Sequence, residues 1–229
     1  VLAILYDIHG NLPALDAVLA DAHERAARRF VLGGDYALFG AWPTETVTRL
    51  RALEAAWIRG NGERWTASAD EAPDDPTVQG AIADCAAALG AATVAELAAL
   101  PEMLVHGQDR FCHGSPVSDV RSFLPQPDDD EAELLEGMSE PRLVFGHTHL
   151  PFRRISAHRG IELVNPGSVG MPFDGDPRAA YALIADDRGV EHRRVGYDHS
   201  ASAAAVRRRG GEWSETIARR IEQARIDPA

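Results

Sequence analysis

Short apolar runs alternate along this chain with longer segments whose apolar residues recur at helical spacing. Val1-Leu2-Ala3-Ile4-Leu5-Tyr6 is apolar on both faces, the pattern of a buried strand. Leu12, Leu15, Val18, Leu19 and Ala22 then form one core-facing stripe, so a helix is expected from Asn11 or Leu12 with Pro13 in its first turn. The same reading gives a strand over 29–32, a helix over 44–56 and a strand over 56–59. Residues 67–100 differ in texture, being rich in Ala and Glu with few aromatics and the turn cluster Ala72-Pro73-Asp74-Asp75-Pro76. A helical insertion is expected there, with helices over 77–89 and 93–100. Packing on a sheet and shaping a substrate entrance both fit it.

Short, turn-bounded strands follow over 103–106 and 110–112, joined by Gly107-Gln108-Asp109, and over 143–145, 153–156, 162–164, 181–185 and 190–195. The acidic run Asp128-Asp129-Asp130-Glu131 opens a helix over 131–136, where solvation and the helix dipole account for it. Arg207-Arg208-Arg209 and a helix over 212–224 read as a solvated C-terminal helix. Strand–helix alternation first and hairpins later argue for an α/β sandwich of two sheets, in a single domain of 229 residues.

Composition changes this picture little: 45% hydrophobic and 25% charged residues are ordinary for a globular chain. Cys85 and Cys112 form no CxxC pair and read as buried, reduced thiols. The apolar opening is too short for a signal peptide or a membrane span, and no other segment approaches spanning length. A cytoplasmic location and no membrane partner are therefore expected. Exposed apolar residues in the second half would suit a homodimer.

The chemistry lies in five polar motifs, each after an apolar run: Asp7-Ile8-His9-Gly10-Asn11, Gly33-Gly34-Asp35, Gly60-Asn61-Gly62-Glu63, His113-Gly114-Ser115 and Gly146-His147-Thr148-His149. Their candidate ligands are Asp7, His9, Asp35, Asn61, His113, His147 and His149, an oxygen-plus-imidazole set suited to two borderline transition metals. Active sites of α/β sheets gather at the carboxyl ends of strands, where separate loops converge. Asp35 is the natural bridge, because a carboxylate has two oxygens. His147 and His149, two apart, could each serve a different metal. Such a pair of cations can clamp phosphate oxygens and activate a hydroxide. His23, His106, His158, His192 and His199 lack this context and read as structural, and Asp16 and Asp21 as a solvated helix face. Asn11 and Arg64, each in or beside a motif, are the candidate substrate contacts, with an ordinary surface arginine the competing reading for Arg64 and Arg178.

These motifs resemble the calcineurin-like metallophosphoesterase superfamily, in particular its small bacterial phosphodiesterase- and phosphatase-type members. The resemblance runs from Val1 to about Val195 and includes Asn165-Pro166-Gly167-Ser168-Val169-Gly170 and Asp174-Gly175-Asp176-Pro177-Arg178-Ala179. It implies a four-layer αββα sandwich of two mixed sheets flanked by helices. It also implies one metal held by Asp7, His9, Asp35 and His149, and a second by Asp35, Asn61, His113 and His147. Manganese, iron, zinc and nickel are typical occupants, with manganese favoured. Asp35, Asn61 and His113 would be the catalytic members.

Three departures stand out. The family commonly has a histidine where this chain has Gly62, and that residue usually helps the leaving group depart, a contribution of roughly 10²–10⁴-fold. Met171 and Phe173 replace the Gln and Arg common in relatives, and Tyr6 replaces a small residue before the first Asp. The expected activity is metal-dependent hydrolysis of phosphodiesters. The alternatives are a phosphomonoesterase acting on a phosphoprotein, nucleotide or dinucleoside polyphosphate, and a catalytically silent metal-binding scaffold. A net charge of −12 gives no positive field for nucleic acid, so a small phosphorylated substrate is the expected partner.

Overall fold

The first strand, β1 (Leu2–Leu5), sends its side chains alternately to two cores, the period-two pattern of a strand buried on both faces. This is a computed structural model that describes residues 1–185 and 189–226. Helix α1 (Leu12–Glu24) carries the chain back to β2 (Arg29–Leu32), which pairs parallel to β1 with Ile4 opposite Val31. Helix α2 (Pro43–Arg51) leads to β3 (Ala55–Trp57), parallel to β2. Two further helices follow, α3 (Asn61–Ala67) and α4 (Pro76–Ala98).

Strands β4 (Met103–His106) and β5 (Asp109–Cys112) then form an antiparallel hairpin. The short α5 (Glu131–Leu134) precedes β6 (Arg142–Val144), β7 (Phe152–Ile155) and β8 (Glu162–Asn165). The chain returns through β9 (Ala179–Ile184) and β10 (Val190–Val195) and ends with α6 (His199–Arg209) and α7 (Glu212–Gln223). One mixed sheet has the order β10-β9-β1-β2-β3 and the other β4-β5-β6-β8-β7. Because β9 pairs antiparallel to β1, the first sheet joins the two ends of the chain.

Three apolar clusters define the layers. Ile4, Tyr6, Val31 and Ile58 from the first sheet meet Phe111, Val144 and Val164 from the second, so the sheets pack face to face. Ala3, Leu5 and Leu32 point the other way, against Leu15, Val18, Leu19, Val47 and the last two helices. On the outer face of the second sheet, Cys112, Leu143, Phe145 and Leu163 pack with Leu134, Leu135 and Met138. The result is the expected pair of mixed sheets flanked by helices. Cys112 points into this outer cluster, away from the site that holds its neighbour His113.

Four details differ from the sequence reading. Helix α4 is long and apolar enough, by length and composition, to cross a membrane, where no such segment was expected. Gly90, at φ 75°, breaks it into two arms, neither of which reaches spanning length. The C-terminal helix is not a solvated one: Trp213, Ile217, Ala218 and Ile221 are buried in the main core. Its Trp213 packs against α4 at Gly80, where an added Cβ would meet the indole at 3.0 Å. Helix α6 was not legible, because Val206 is its one large apolar residue; its start is marked by Asp198, which accepts from Ala201 N at 2.8 Å.

The acidic residues thought to be merely solvated also have partners. Asp21 receives Arg193 Nη2 at 3.0 Å and the Tyr181 hydroxyl at 2.6 Å, tying α1 to β9 and β10. Glu131 is buried and accepts from Arg154 Nη2 at 2.6 Å.

The packing of α7 sets an expected cost. Trp213→Ala should destabilise the protein by about 3–5 kcal/mol, the range for truncating a buried large aromatic. Chemical denaturation measures it; a loss below about 0.5 kcal/mol would match a solvated helix instead.

Candidate metal centre

The seven candidate ligands gather where the parallel strands end. Asp7 and His9 follow β1, Asp35 follows β2, and Asn61 lies beyond β3 as the first residue of α3. His113 follows β5 directly, and His147 and His149 follow β6. The turns that carry them are unusual. Of nine non-glycine residues at positive φ among those described, five are candidate ligands: Asp7 (54°), His9 (48°), Asp35 (57°), His147 (68°) and His149 (58°). A left-handed backbone costs an L-residue roughly 1–2 kcal/mol, and such strain tends to cluster at functional sites.

Hydrogen bonds between loops hold these turns in place. His9 N and Gly10 N donate to Asp35 O and Tyr36 O at 2.8 Å each, joining the first two motifs. Gly146 N donates to His113 O at 2.7 Å, and His147 N to Asp7 Oδ2 at 3.1 Å. Tyr6, the unusual residue before the first Asp, is buried and donates its hydroxyl to Val144 O at 3.1 Å. Its ring lies against Gly33 and Gly146, where a Cβ would come within 2.1 and 2.5 Å of ring atoms. The two glycine motifs make room for that ring.

Two groups of three side chains converge, Asp7–His9–His149 and Asp7–Asp35–His113, each with its donor atoms within 4.8 Å of one another. Asp7 belongs to both. Asp35 faces two histidines with its two oxygens: Oδ2 lies 3.8 Å from His9 Nε2, and Oδ1 3.6 Å from His113 Nε2. The Asn61 amide reaches His147 Nδ1 at 2.9 Å; with its NH2 turned to that side it also donates to His113 Nε2 at 3.0 Å.

The histidine rings are oriented as ligands are. His9, His113 and His149 each place Nδ1 on a backbone carbonyl, at Leu38 O (2.9 Å), Gly33 O (2.8 Å) and Met171 O (2.6 Å). A proton fixed at Nδ1 leaves the Nε2 lone pair directed into the cluster. His9 Nε2 and His149 Nε2 there face each other at 3.1 Å. Burial pushes His9 down to about 4 and His147 to about 3, and lowers His149 as well, so these rings are neutral at neutral pH. Burial has the opposite effect on the acids, raising Asp7 and Asp35, with the neighbouring carboxylates adding to the rise. Asp7 Oδ1 is fully buried without a hydrogen-bond partner. Neutral imidazole lone pairs, crowded carboxylates and an orphaned carboxylate oxygen are the donor set that divalent cations fit.

The remaining candidates sit around this cluster. Asn11 is buried beneath it: Oδ1 accepts from Ala14 N (3.4 Å) and Ser202 Oγ (3.0 Å), and Nδ2 donates to Gly170 O (2.8 Å) and Tyr197 Oη (3.1 Å). Arg64 lines a cavity with His113, its guanidinium held by Asp119 through two 2.7 Å bonds and by Glu71 at 2.8 Å. Arg178 is exposed and pairs with Asp176 at 2.6 Å. Phe173 stacks on His149 at 4.3 Å, and Met171 supplies that ring's carbonyl partner. Gly62 N donates to Asp35 Oδ1 at 2.7 Å, and a Cβ there would meet the same oxygen at 2.7 Å.

Sequence reasoning passed over two residues. Glu63 accepts from Asp35 N (2.9 Å), Tyr36 N (2.8 Å) and Gly60 N (2.8 Å), clamping the second motif to the third. The bond to Gly60 is the return half of a capping box, a signal present in Gly60-x-x-Glu63. Asp119, the bidentate partner of Arg64, carries no local motif.

Comparison with known proteins agrees with this geometry. The sequence profile of the calcineurin-like phosphoesterase superfamily domain matches residues 1–188. The uncharacterized protein MJ0912 of Methanocaldococcus jannaschii is 31% identical over 237 residues, covering 93% of this chain and 95% of that protein. The crystal structure of a metallophosphoesterase from Sphaerobacter thermophilus superposes with a TM-score of 0.82 at 28% identity, covering 97% of this chain and 98% of that one. The hypothetical protein PH1004 of Pyrococcus horikoshii has the same TM-score of 0.82 and the same coverage at 20% identity, a likeness of fold. By its sequence, its paired sheets and the residues gathered at their ends, this chain belongs to the calcineurin-like phosphoesterase superfamily of metal-dependent phosphoric ester hydrolases.

Proposed function

We propose that the protein hydrolyses phosphodiesters with the help of two divalent transition metals, manganese being the favoured pair. The observation that carries this reading is the facing of Asp35, with one oxygen towards His9 and the other towards His113. One cation would be held by Asp7, His9, Asp35 and His149, the other by Asp35, Asn61, His113 and His147. When bound, such a pair supplies Lewis acidity to phosphoryl oxygens and lowers the pKa of a water molecule to the neutral range.

The chain's own residues supply the rest. The carbonyls of Leu38, Gly33 and Met171 hold His9, His113 and His149 in one tautomer, so each ring presents a lone pair without reorganising. Glu63 fixes the backbone on either side of Asp35, and the Gly62 N–H orients its carboxylate. Half a turn of the Asn61 amide presents Oδ1 to the cluster in place of NH2. His147 is less enclosed than the other rings and marks the side from which substrate arrives. Gly62 offers no side chain to protonate a leaving group, which favours esters of acidic alcohols and phenols.

Asp35→Asn removes one charge and the symmetric bridge while keeping the shape. Its manganese-dependent turnover of bis-p-nitrophenyl phosphate should fall by at least roughly 10³-fold, the scale of losing an essential catalytic group. Full turnover in the variant would overturn the assignment.

Metal uptake should also depend on pH in a defined sense. Burial raises the Asp7 and Asp35 carboxyls, Asp7 to about 8, so they hold their protons to higher pH than free carboxylates do, whereas the lowered imidazoles release theirs at lower pH. Binding must displace the carboxyl protons. Manganese affinity should therefore rise with pH by up to about tenfold per unit for each proton displaced. Calorimetric titrations between about pH 6 and 8, in buffers of different ionisation enthalpy, check it. A flat affinity would place the protons elsewhere.

A further inference from the structure

Two depressions flank the cluster, and each reaches one of its histidines. The first, about 370 Å³, runs from His113 past Val117 to Arg59 and Met103. The second, about 470 Å³, runs from His147 and Thr148 to Leu124 and Leu150. Val120 lines both and forms the ridge between them. Both volumes fall in the range of small-molecule clefts, about 300–1,000 Å³.

Exposed apolar side chains collect on both: the second depression is mainly apolar, and the first sets Met103, Val117 and Val120 among charges that are already paired. Among the described residues eight large hydrophobic side chains are exposed, and five of them, Met103, Val117, Val120, Leu124 and Ile226, line one or other depression. Exposed apolar side chains collected beside a reactive centre mark a ligand surface. The arginines there are already matched by carboxylates. Arg64 is engaged by Asp119 and Glu71, Arg59 by Glu102, and Arg121 by Asp130 and Glu133. A second phosphate would meet paired guanidinium groups on a chain of net charge −12.

We propose that the substrate is a phosphodiester with two uncharged, apolar or aromatic ester groups, one lying in each groove on either side of Val120. This rests on the phosphodiesterase reading and adds what the two ester groups are. A monoester would fill one groove, and a nucleoside polyphosphate would bring further anions to surfaces whose arginines are already neutralised by carboxylates. Hydrolysis breaks one phosphorus–oxygen ester bond and adds the oxygen of water to phosphorus. One proton of that water leaves with the alcohol and the other stays with the monoester.

The test uses Val117→Asn and Leu124→Asn, exposed positions where a neutral polar side chain replaces apolar contact without adding charge. With bis-p-nitrophenyl phosphate, each variant should raise KM about fivefold, the effect of removing part of an aromatic ring's apolar contact. With methyl p-nitrophenyl phosphate, which has one aromatic group, only the variant in the leaving-group groove should do so. KM values for the two-armed ester within about 1.5-fold of the parent in either variant would overturn the proposal.

Binding of product-like probes gives a second readout that needs no turnover. By calorimetry on the manganese-loaded protein, diphenyl phosphate should bind at least about tenfold more tightly than dimethyl phosphate, and the double variant should lose most of that advantage. Equal binding of the two probes by the parent protein would also overturn the proposal. Groove-dependent binding without hydrolysis supports the two-armed ligand and overturns the hydrolytic reading; hydrolysis without groove dependence does the reverse.

Discussion

The site depends on five candidate ligand residues being held in a left-handed backbone. Asp7, His9, Asp35, His147 and His149 all sit at positive φ, which turns each side chain sharply off the end of its strand. Relaxed turns at these points would splay the donors over several loops. The strained ones stay because neighbouring loops over-determine them: His9 and Gly10 bond to the Asp35 turn, and Gly146 bonds to His113. Those bonds each join loops of one sheet, and His147 N, bonding Asp7 Oδ2, crosses between the two. Face-to-face packing of Ile4, Tyr6 and Val31 on Phe111, Val144 and Val164 therefore sets the register in which the strain is supported.

Burial then turns this geometry into a demand for cations. Asp7 and Asp35 are crowded together with Glu63 nearby, and desolvation disfavours the negative charge of both aspartates. Histidines could have answered with positive charge, but burial holds His9, His147 and His149 neutral. The cluster therefore contains acceptors with too few donors, shown most plainly by Asp7 Oδ1. A polar network satisfied only in part is costly in a low-dielectric interior. Divalent cations would resolve it, so that the candidate ligand set and the fold form one arrangement.

Much of this was legible in the sequence because ligands follow strands, and strands announce themselves by apolar runs. Asp7 after Val1–Tyr6 and Asp35 after 29–32 are placed by pattern alone, and the alternation that sends Cys112 away from the site is elementary. What escaped is what arises between distant segments. Glu63 looks like a helix-capping residue in sequence, but its carboxylate also clamps the Asp35 turn, 28 positions away. Asp119 has no motif at all and gains its role by meeting Arg64 across 55 positions. Helix α7 reads as charged and solvated because its charged residues, Glu212, Glu215, Arg219, Arg220 and Glu222, outnumber its large apolar ones, Trp213, Ile217 and Ile221. Only the arrival of α4 and α6 makes Trp213 and Ile217 interior. Positive φ at an Asp or His is likewise set by tertiary hydrogen bonds rather than by residue type.

The absence of a histidine at position 62 is consistent with the rest of the site. Gly62 brings its peptide N–H to Asp35 Oδ1, an approach that a Cβ would obstruct. No other groove residue replaces a histidine's proton. Burial works against ionisation of Asp119, yet the Arg64 guanidinium outweighs it and holds that carboxyl below its ordinary range. Arg64 in turn is held by two carboxylates, and its proton is among the least available in the molecule. In the proposed reaction, departure of the ester oxygen would then rest on the stability of the leaving anion and on the positive charge that bound cations would bring. An aromatic ester group meets the first condition by delocalising charge, and the apolar lining by Met103, Val117 and Val120 meets its surface. The residue that is missing and the groove that is present thus point to the same kind of ester.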